Sequence, residues 1–155
     1  MASKPIISVV IPARNEALWL PRSLGALRNQ KGSDQANVDL IVVDNGSTDD
    51  TAVVAQQFGA RVVSEPQAGV ARARQAGFEA AWAPVIASTD ADTIVPATWL
   101  RDLLAAFAVE PAVVAVGGSV RYNLTDPLLK RLFDQAIPIL HELDRLVHAG
   151  KGHLV

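Results

Sequence analysis

Two carboxylates stand two positions apart in Asp90-Ala91-Asp92, directly after the apolar run Val85-Ile86-Ala87-Ser88. On a turn that leaves a strand, carboxylates so spaced can share a hard divalent cation, Mg2+ or Mn2+, which takes oxygen ligands and keeps positions open for phosphate. The same spacing occurs in aspartate-rich turns whose side chains bond their own backbone, and the pair alone leaves both readings open. Other polar clusters also follow short apolar runs: Pro12-Ala13-Arg14-Asn15-Glu16, Asp44-Asn45-Gly46-Ser47 and Glu65-Pro66. Asp44 ends its run directly, where it can accept hydrogen bonds from a base or ribose, or close a turn. Arg72 and Arg74 lie two apart on a helical segment and point to different sides, so one can reach an anion while the other is solvated or ion-paired. His141, His148 and His153 fall at spacings that suggest no metal site. Trp19, Trp82 and Trp99 adjoin apolar helical stripes and read as core rather than as stacking platforms.

These clusters need elements to carry them. Ile6-Ile7-Ser8-Val9-Val10-Ile11 is a β-branched run expected to stop at Pro12, which has no N–H for a ladder. Leu20, Leu24 and Leu27 recur at helical spacing, with Pro21 tolerated in the first turn. Leu40-Ile41-Val42-Val43 reads as a second strand, and Ser47-Thr48-Asp49-Asp50 as a helix start with a hydroxyl cap and acids in the first turn. That helix is expected to stop at Gly59. Arg61-Val62-Val63-Ser64 and 85–88 read as further strands, residues 69–81 as a helix despite Gly77, and residues 96–109 as another. A strand is expected at 113–116, before Gly117-Gly118, and an amphipathic helix at 126–148, bent near Pro138. Strands alternating with helices, each strand continuously apolar, predict an open, mostly parallel α/β sheet with helices on both faces. In such sheets ligands bind beyond the carboxyl ends of the strands, where every cluster above lies.

Composition narrows the class. The chain has 155 residues, 50% hydrophobic and 19% charged, enough for a real core and within the size of one domain. A net charge of -2 argues against a protein held on nucleic acid by phosphate neutralisation. The chain has 0 cysteines, which excludes disulfides, thiolate zinc and a cysteine nucleophile, and fits a reducing compartment. The longest apolar runs fall far short of the ~18 residues of a spanning helix, so a cytoplasmic protein is expected. The dinucleotide fingerprint G-x-G-x-x-G, the P-loop and the G-x-S-x-G elbow are all missing.

Residues 6–16, Asp44-Asn45-Gly46-Ser47-Thr48-Asp49-Asp50-Thr51 with the apolar run before it, Gly69-Val70-Ala71-Arg72-Ala73-Arg74-Gln75-Ala76-Gly77 and Thr89-Asp90-Ala91-Asp92 occur in this order. Together they resemble the front half of family 2 nucleotide-diphospho-sugar glycosyltransferases, which have the GT-A fold. The resemblance implies a single domain over 1–155, with a nucleotide-sugar-binding part at 6–120 and the helical start of an acceptor part at 121–155. It implies that Pro12, Ala13, Asn15, Glu16, Asp44, Gly46, Ser47, Arg74 and Asp90 bind the nucleotide, Asp44 through the base. Asp92 and Asp90 would form the D-x-D element on Mg2+ or Mn2+, with Asp92 in direct contact. Gln75 stands where the family has asparagine.

The implied reaction is an inverting transfer from a nucleotide-diphospho-sugar donor to a saccharide or lipid-linked acceptor hydroxyl. The family's catalytic base comes from a downstream acidic motif, expected beyond Val155, so a nucleotide-sugar-binding remnant is the alternative. Self-association through apolar surface left uncovered is a further expectation; the amphipathic residues 128–147 read first as a helix packing on its own sheet, with peripheral membrane contact as the alternative. A second resemblance, of Asp90-Ala91-Asp92-Thr93 to haloacid-dehalogenase-like phosphotransferases, lacks that family's later acidic pair and its first-strand position.

Overall fold

The computed structural model describes residues 4–32, 37–109 and 114–118. The chain forms two compact units, Met1–Pro111 and Ala112–Val155. The described residues of the first hold eight elements in strict alternation: β1 (Ile7–Ala13), α1 (Leu20–Arg28), β2 (Val38–Asp44), α2 (Thr51–Gln57), β3 (Arg61–Ser64), α3 (Val70–Glu79), β4 (Val85–Ser88) and α4 (Trp99–Val109). The four strands make one sheet in the order β3-β2-β1-β4, every pairing parallel. The order reverses once: β2 and β3 step away to one side of β1, and β4 returns on the other. The crevice beyond the β1 and β4 tips is therefore the place where an open α/β sheet takes a ligand.

Both faces of the sheet are apolar because both are covered. Ile7, Val9 and Ile11 of β1, with Leu40 and Val42 of β2, pack with Leu20, Leu24 and Leu27 of α1, Ala55 of α2 and Leu100 of α4. Val10, Ile41 and Val43 pack on the opposite face with Ala73 of α3. The helical stripe of leucines is fully buried, as its spacing predicts.

Helix α3 lies so close to the sheet that its expected weak point, Gly77, is a requirement. A Cβ there would stand 2.2 Å from Val10 Cγ1 and 2.9 Å from Val43 Cγ2, both in the buried core. Gly77→Ala should destabilise the fold by about 1–3 kcal/mol, despite alanine's better helix propensity. Chemical denaturation of the two proteins reads this directly, and an unchanged midpoint would contradict the close approach.

Four local expectations are corrected. β1 does not stop at Pro12 but continues to Ala13. Ala13 carbonyl bonds Asn45 on the β2 side and Val10 carbonyl bonds Thr89 on the β4 side. Pro12 shares the β4 side, past the last β1–β4 pair Val10↔Ser88, so its missing N–H breaks no ladder bond. Helix α2 begins only at Thr51, with no acid in its first turn and no side-chain cap from Asp50. Asp49 lies outside the helix and instead accepts hydrogen bonds from the Thr51 N–H at 3.0 Å and from the Thr51 hydroxyl.

Trp19 and Trp82 are 47% and 65% exposed, not core. Each lies outside the regular helical turns beside it, before Leu20 and after Glu79, so the helical stripe does not extend to it. Trp99 does pack against the core. Finally, the strand expected at 113–116 is absent over 114–116, which is irregular, with Val114 88% exposed. A short apolar run makes a strand only when it gains a ladder and a buried face. The amphipathic helix expected at 126–148 and the histidines lie outside the described residues.

Candidate functional site

An open cleft of about 630 Å³ lies beyond the carboxyl ends of β1, β2 and β4. Pro12, Ala13, Arg14 and Glu16 line it from β1, Asn45 from β2, Gly69, Val70, Ala73 and Arg74 from the start of α3, and Asp90, Ala91 and Asp92 from the β4 tip. Of the residues singled out in the sequence, Pro12, Ala13, Glu16, Arg74, Asp90 and Asp92 are thus brought to one concavity.

The carboxylates of the β4 tip are not consumed by their turn. The turn closes through backbone alone, Thr93 N–H donating to the Asp90 carbonyl at 3.1 Å. Asp90 Oδ1 accepts from Arg74 Nη2 at 2.5 Å, across the cleft from α3. Asp92 is exposed to the cleft. The reading in which these aspartates bond their own backbone is therefore overturned. Glu16 adds negative potential on the β1 side: burial, then the charges of Asp92 and Asp49, push its carboxyl above the usual range. Hard oxygen donors at a solvent-facing cleft suit a hard cation. Among the described residues no three acidic or imidazole side chains converge to hold an ion by themselves. The donor set fits an ion such as Mg2+, which takes one or two carboxylates and completes its shell from phosphate and water.

Asn15, Asp44, Gly46 and Ser47 do not line the cleft; they fix the loops beside it. Asn15 has a left-handed φ of 57°, and its Oδ1 accepts the Thr48 N–H at 2.8 Å and the Thr48 hydroxyl at 3.2 Å. Its own N–H donates to the Ser47 hydroxyl at 3.0 Å, and the next N–H, of Glu16, to the Thr51 hydroxyl at 2.8 Å. The loops after β1 and β2 are laced together by side chains, which fixes where Glu16 sits. Asp44 Oδ1 accepts the Ser47 N–H at 3.0 Å, the turn-closing role its position allowed. Gly46, at φ 70°, supplies the conformation that turn needs.

Asn45 is the residue that motif reading passed over. It is 5% exposed and uses both ends of its amide on the loop before α3: Nδ2 donates to the Glu65 and Gln67 carbonyls at 2.8 and 2.7 Å, and Oδ1 accepts the Gly69 N–H at 2.8 Å. This staple sets the start of α3, and with it Val70, Ala73 and Arg74, against the β4 tip. The available signal was its place at a strand end, which drew attention to the neighbouring acid instead. On the other side, Gln30 at the end of α1 donates to the Pro96 carbonyl at 2.8 Å and accepts the Leu100 N–H at 3.0 Å. It pins the segment that follows Asp92.

Comparison with known proteins gives a consistent result. The family model described as Glycosyl transferase family 2 matches residues 8–147. An uncharacterized glycosyltransferase of Mycobacterium bovis is 43% identical over 99 residues, covering 64% of this chain and 42% of the relative. A mannosyltransferase of Pyrobaculum calidifontis, solved with GDP-Man and Mn2+, superposes with a TM-score of 0.62 at 27% identity, over 77% of this chain and 36% of that one. The glucosyl-3-phosphoglycerate synthase of Mycobacterium tuberculosis, solved with Mn2+, UDP and glucosyl-3-phosphoglycerate, gives 0.53 at 31% identity, over 67% and 39%. The chain spans about two fifths of the length of each of these proteins.

Proposed function

This chain belongs to glycosyl transferase family 2, and on that premise we propose that its cleft binds the nucleoside diphosphate of a sugar donor for transfer to an acceptor hydroxyl, with inversion. The observation that carries this reading is the convergence of Asp90, Asp92 and Arg74 at the crevice between the β1 and β4 tips. Asp90 and Asp92 would hold Mg2+ or Mn2+ against the diphosphate. When bound, such an ion neutralises charge growing on the leaving diphosphate, a Lewis-acid role. Arg74 supplies a guanidinium for the same anion. Pro12 and Ala13 form an apolar wall for the nucleobase, and Asp44, whose Oδ1 closes the turn after β2, acts on it from the neighbouring strand tip through that turn. Asn15, Gly46 and Ser47 act on the nucleotide through the loops they fix. Among the described residues we assign no base for the acceptor proton, because Asp90 and Asp92 are committed to the cation and Glu16 stands beside them.

In this reading the nucleotide-sugar-binding part spans 6–120 and 121–155 begins the acceptor part. The acceptor in this reading is a saccharide or lipid-linked alcohol. The setting is cytoplasmic, peripheral at the membrane, with self-association through residues outside the cleft. Among the described residues no helix is long and apolar enough to cross a membrane.

A thermal-shift panel with UDP, GDP, dTDP and AMP, each with Mn2+, Mg2+ or EDTA, tests the reading. One nucleoside diphosphate should raise the melting temperature selectively and only with a divalent cation. A folded protein that responds to none of them would overturn the donor-site assignment.

A further inference from the structure

The Arg74–Asp90 contact joins the two charges that a cation–diphosphate complex would need apart. Arg74 Nη2 lies 2.5 Å from Asp90 Oδ1, both side chains line the cleft, and they are 37% and 59% exposed. We propose that this ion pair couples the two halves of the donor site, so that cation and nucleotide bind together far better than either binds alone. The inference rests on the donor-site reading above and concerns the regulation of that site.

The physical chain is short. A divalent cation taking Asp90 meets the guanidinium as a like charge, and must displace it. A diphosphate approaching Arg74 meets a guanidinium already neutralised by a carboxylate, and must compete with it. When both arrive, the pair exchanges partners: Asp90 turns to the cation and Arg74 to a phosphate oxygen, so neither charge is left unpaired. Exposed ion pairs contribute little to folding, so this pair can open without disturbing α3. The coupling is reciprocal, because each ligand removes the obstacle to the other. Arg72, two residues earlier on α3, is exposed, does not line the cleft and makes no ion pair among the described residues. It carries the same charge on the same helix without the contact.

The test is Mn2+ binding to the full chain, read from the electron paramagnetic resonance signal of the free ion, with and without UDP and, separately, GDP. Wild type should bind Mn2+ weakly alone and about tenfold more tightly with its preferred nucleotide, within the usual range of coupling between sites. Arg74→Gln should bind Mn2+ alone about threefold more tightly than wild type, the factor an exposed ion pair is worth, and should lose most of the nucleotide's effect. Arg72→Gln should behave as wild type.

Unchanged or weaker Mn2+ binding in Arg74→Gln would overturn the coupling while leaving the donor site standing. An equal gain in Arg72→Gln would do the same, since it would mark general electrostatics rather than the pair. Wild type that binds Mn2+ and nucleotide independently also overturns it. Wild type that binds neither ligand overturns both this inference and the donor-site reading. Circular-dichroism melting of each variant confirms that the comparison is between folded proteins.

Discussion

Replacing Arg61 with alanine should cost the fold about 3 kcal/mol, because it strands a buried carboxylate whose partner is only half-buried, and lower the unfolding midpoint by roughly 10 °C. Arg61 opens β3 at the end of the sheet away from the cleft. Its Nε and Nη2 donate to Asp39 Oδ1 and Oδ2 at 2.9 Å each, and Nη2 also donates to the Ala80 carbonyl at 2.7 Å. Ser8, paired in register with Asp39, donates its hydroxyl to Oδ2 at 3.0 Å and accepts the Trp82 and Ala83 N–H groups at 3.2 and 3.1 Å. The guanidinium covers the exposed Trp82 ring, 3.7 Å from its centroid. Three strands and the connection into β4 therefore meet at one carboxylate that is 8% exposed.

That network also fixes a pH dependence. Burial alone would raise the Asp39 carboxyl, but the hydrogen bonds from Arg61 and Ser8 and the guanidinium charge outweigh it and hold the group below its usual range. A carboxyl lowered in the folded state adds stability that is present above its unfolded value, near pH ~3.9, and lost as pH falls through the folded value. In Arg61→Ala only burial and the weaker hydrogen bonds remain, so the advantage held at neutral pH disappears. The stability gap between wild type and variant should be widest at neutral pH and narrow below about pH 4. A gap constant from pH 7 to pH 3 would contradict the assignment.

Asp92→Ala should remove the cation-dependent part of nucleotide binding. At a nucleotide concentration 100 times the wild-type Kd, binding stabilises the folded protein by about 2.7 kcal/mol; a hundredfold weaker variant would gain only ~0.4 kcal/mol. EDTA should reproduce the loss in wild type. The unliganded melting temperature should hold or rise slightly, because Asp92 is exposed and its negative charge repels that of Glu16. A variant that keeps the full nucleotide effect with Mn2+ would show that Asp92 does not carry the cation.

The periodic parts of this fold were legible because local and tertiary demands agree. β3 and β4 have the bounds their apolar runs predict, and Leu20, Leu24 and Leu27 are buried as their spacing requires. What escaped depends on direction rather than composition. Pro12 continues a strand because of the side its missing N–H faces, which a linear pattern does not state. Trp19 and Trp82 adjoin helices in sequence but lie outside their regular turns. Helix α2 starts late because Asp49 satisfies Thr51 from outside the helix.

The site divided in the same way. Asp90, Asp92 and Arg74 were nominated by strand-tip position and resemblance, and they meet in the cleft. Asn15 and Ser47 belong to the same motifs, yet their polar atoms are turned to each other's loops. Asn45 was overlooked because its contribution is hydrogen bonds to backbone carbonyls twenty or more residues away, which no short motif encodes.

The most direct measurement is a crystal structure of the protein with Mn2+ and the nucleoside diphosphate selected by the thermal panel, with anomalous diffraction at the manganese edge. One strong anomalous peak should appear in the cleft, bonded directly to the Asp92 carboxylate and to the diphosphate, with Arg74 turned from Asp90 to a phosphate oxygen. A nucleotide bound outside the β1–β4 crevice, or manganese held away from both Asp90 and Asp92, would contradict it.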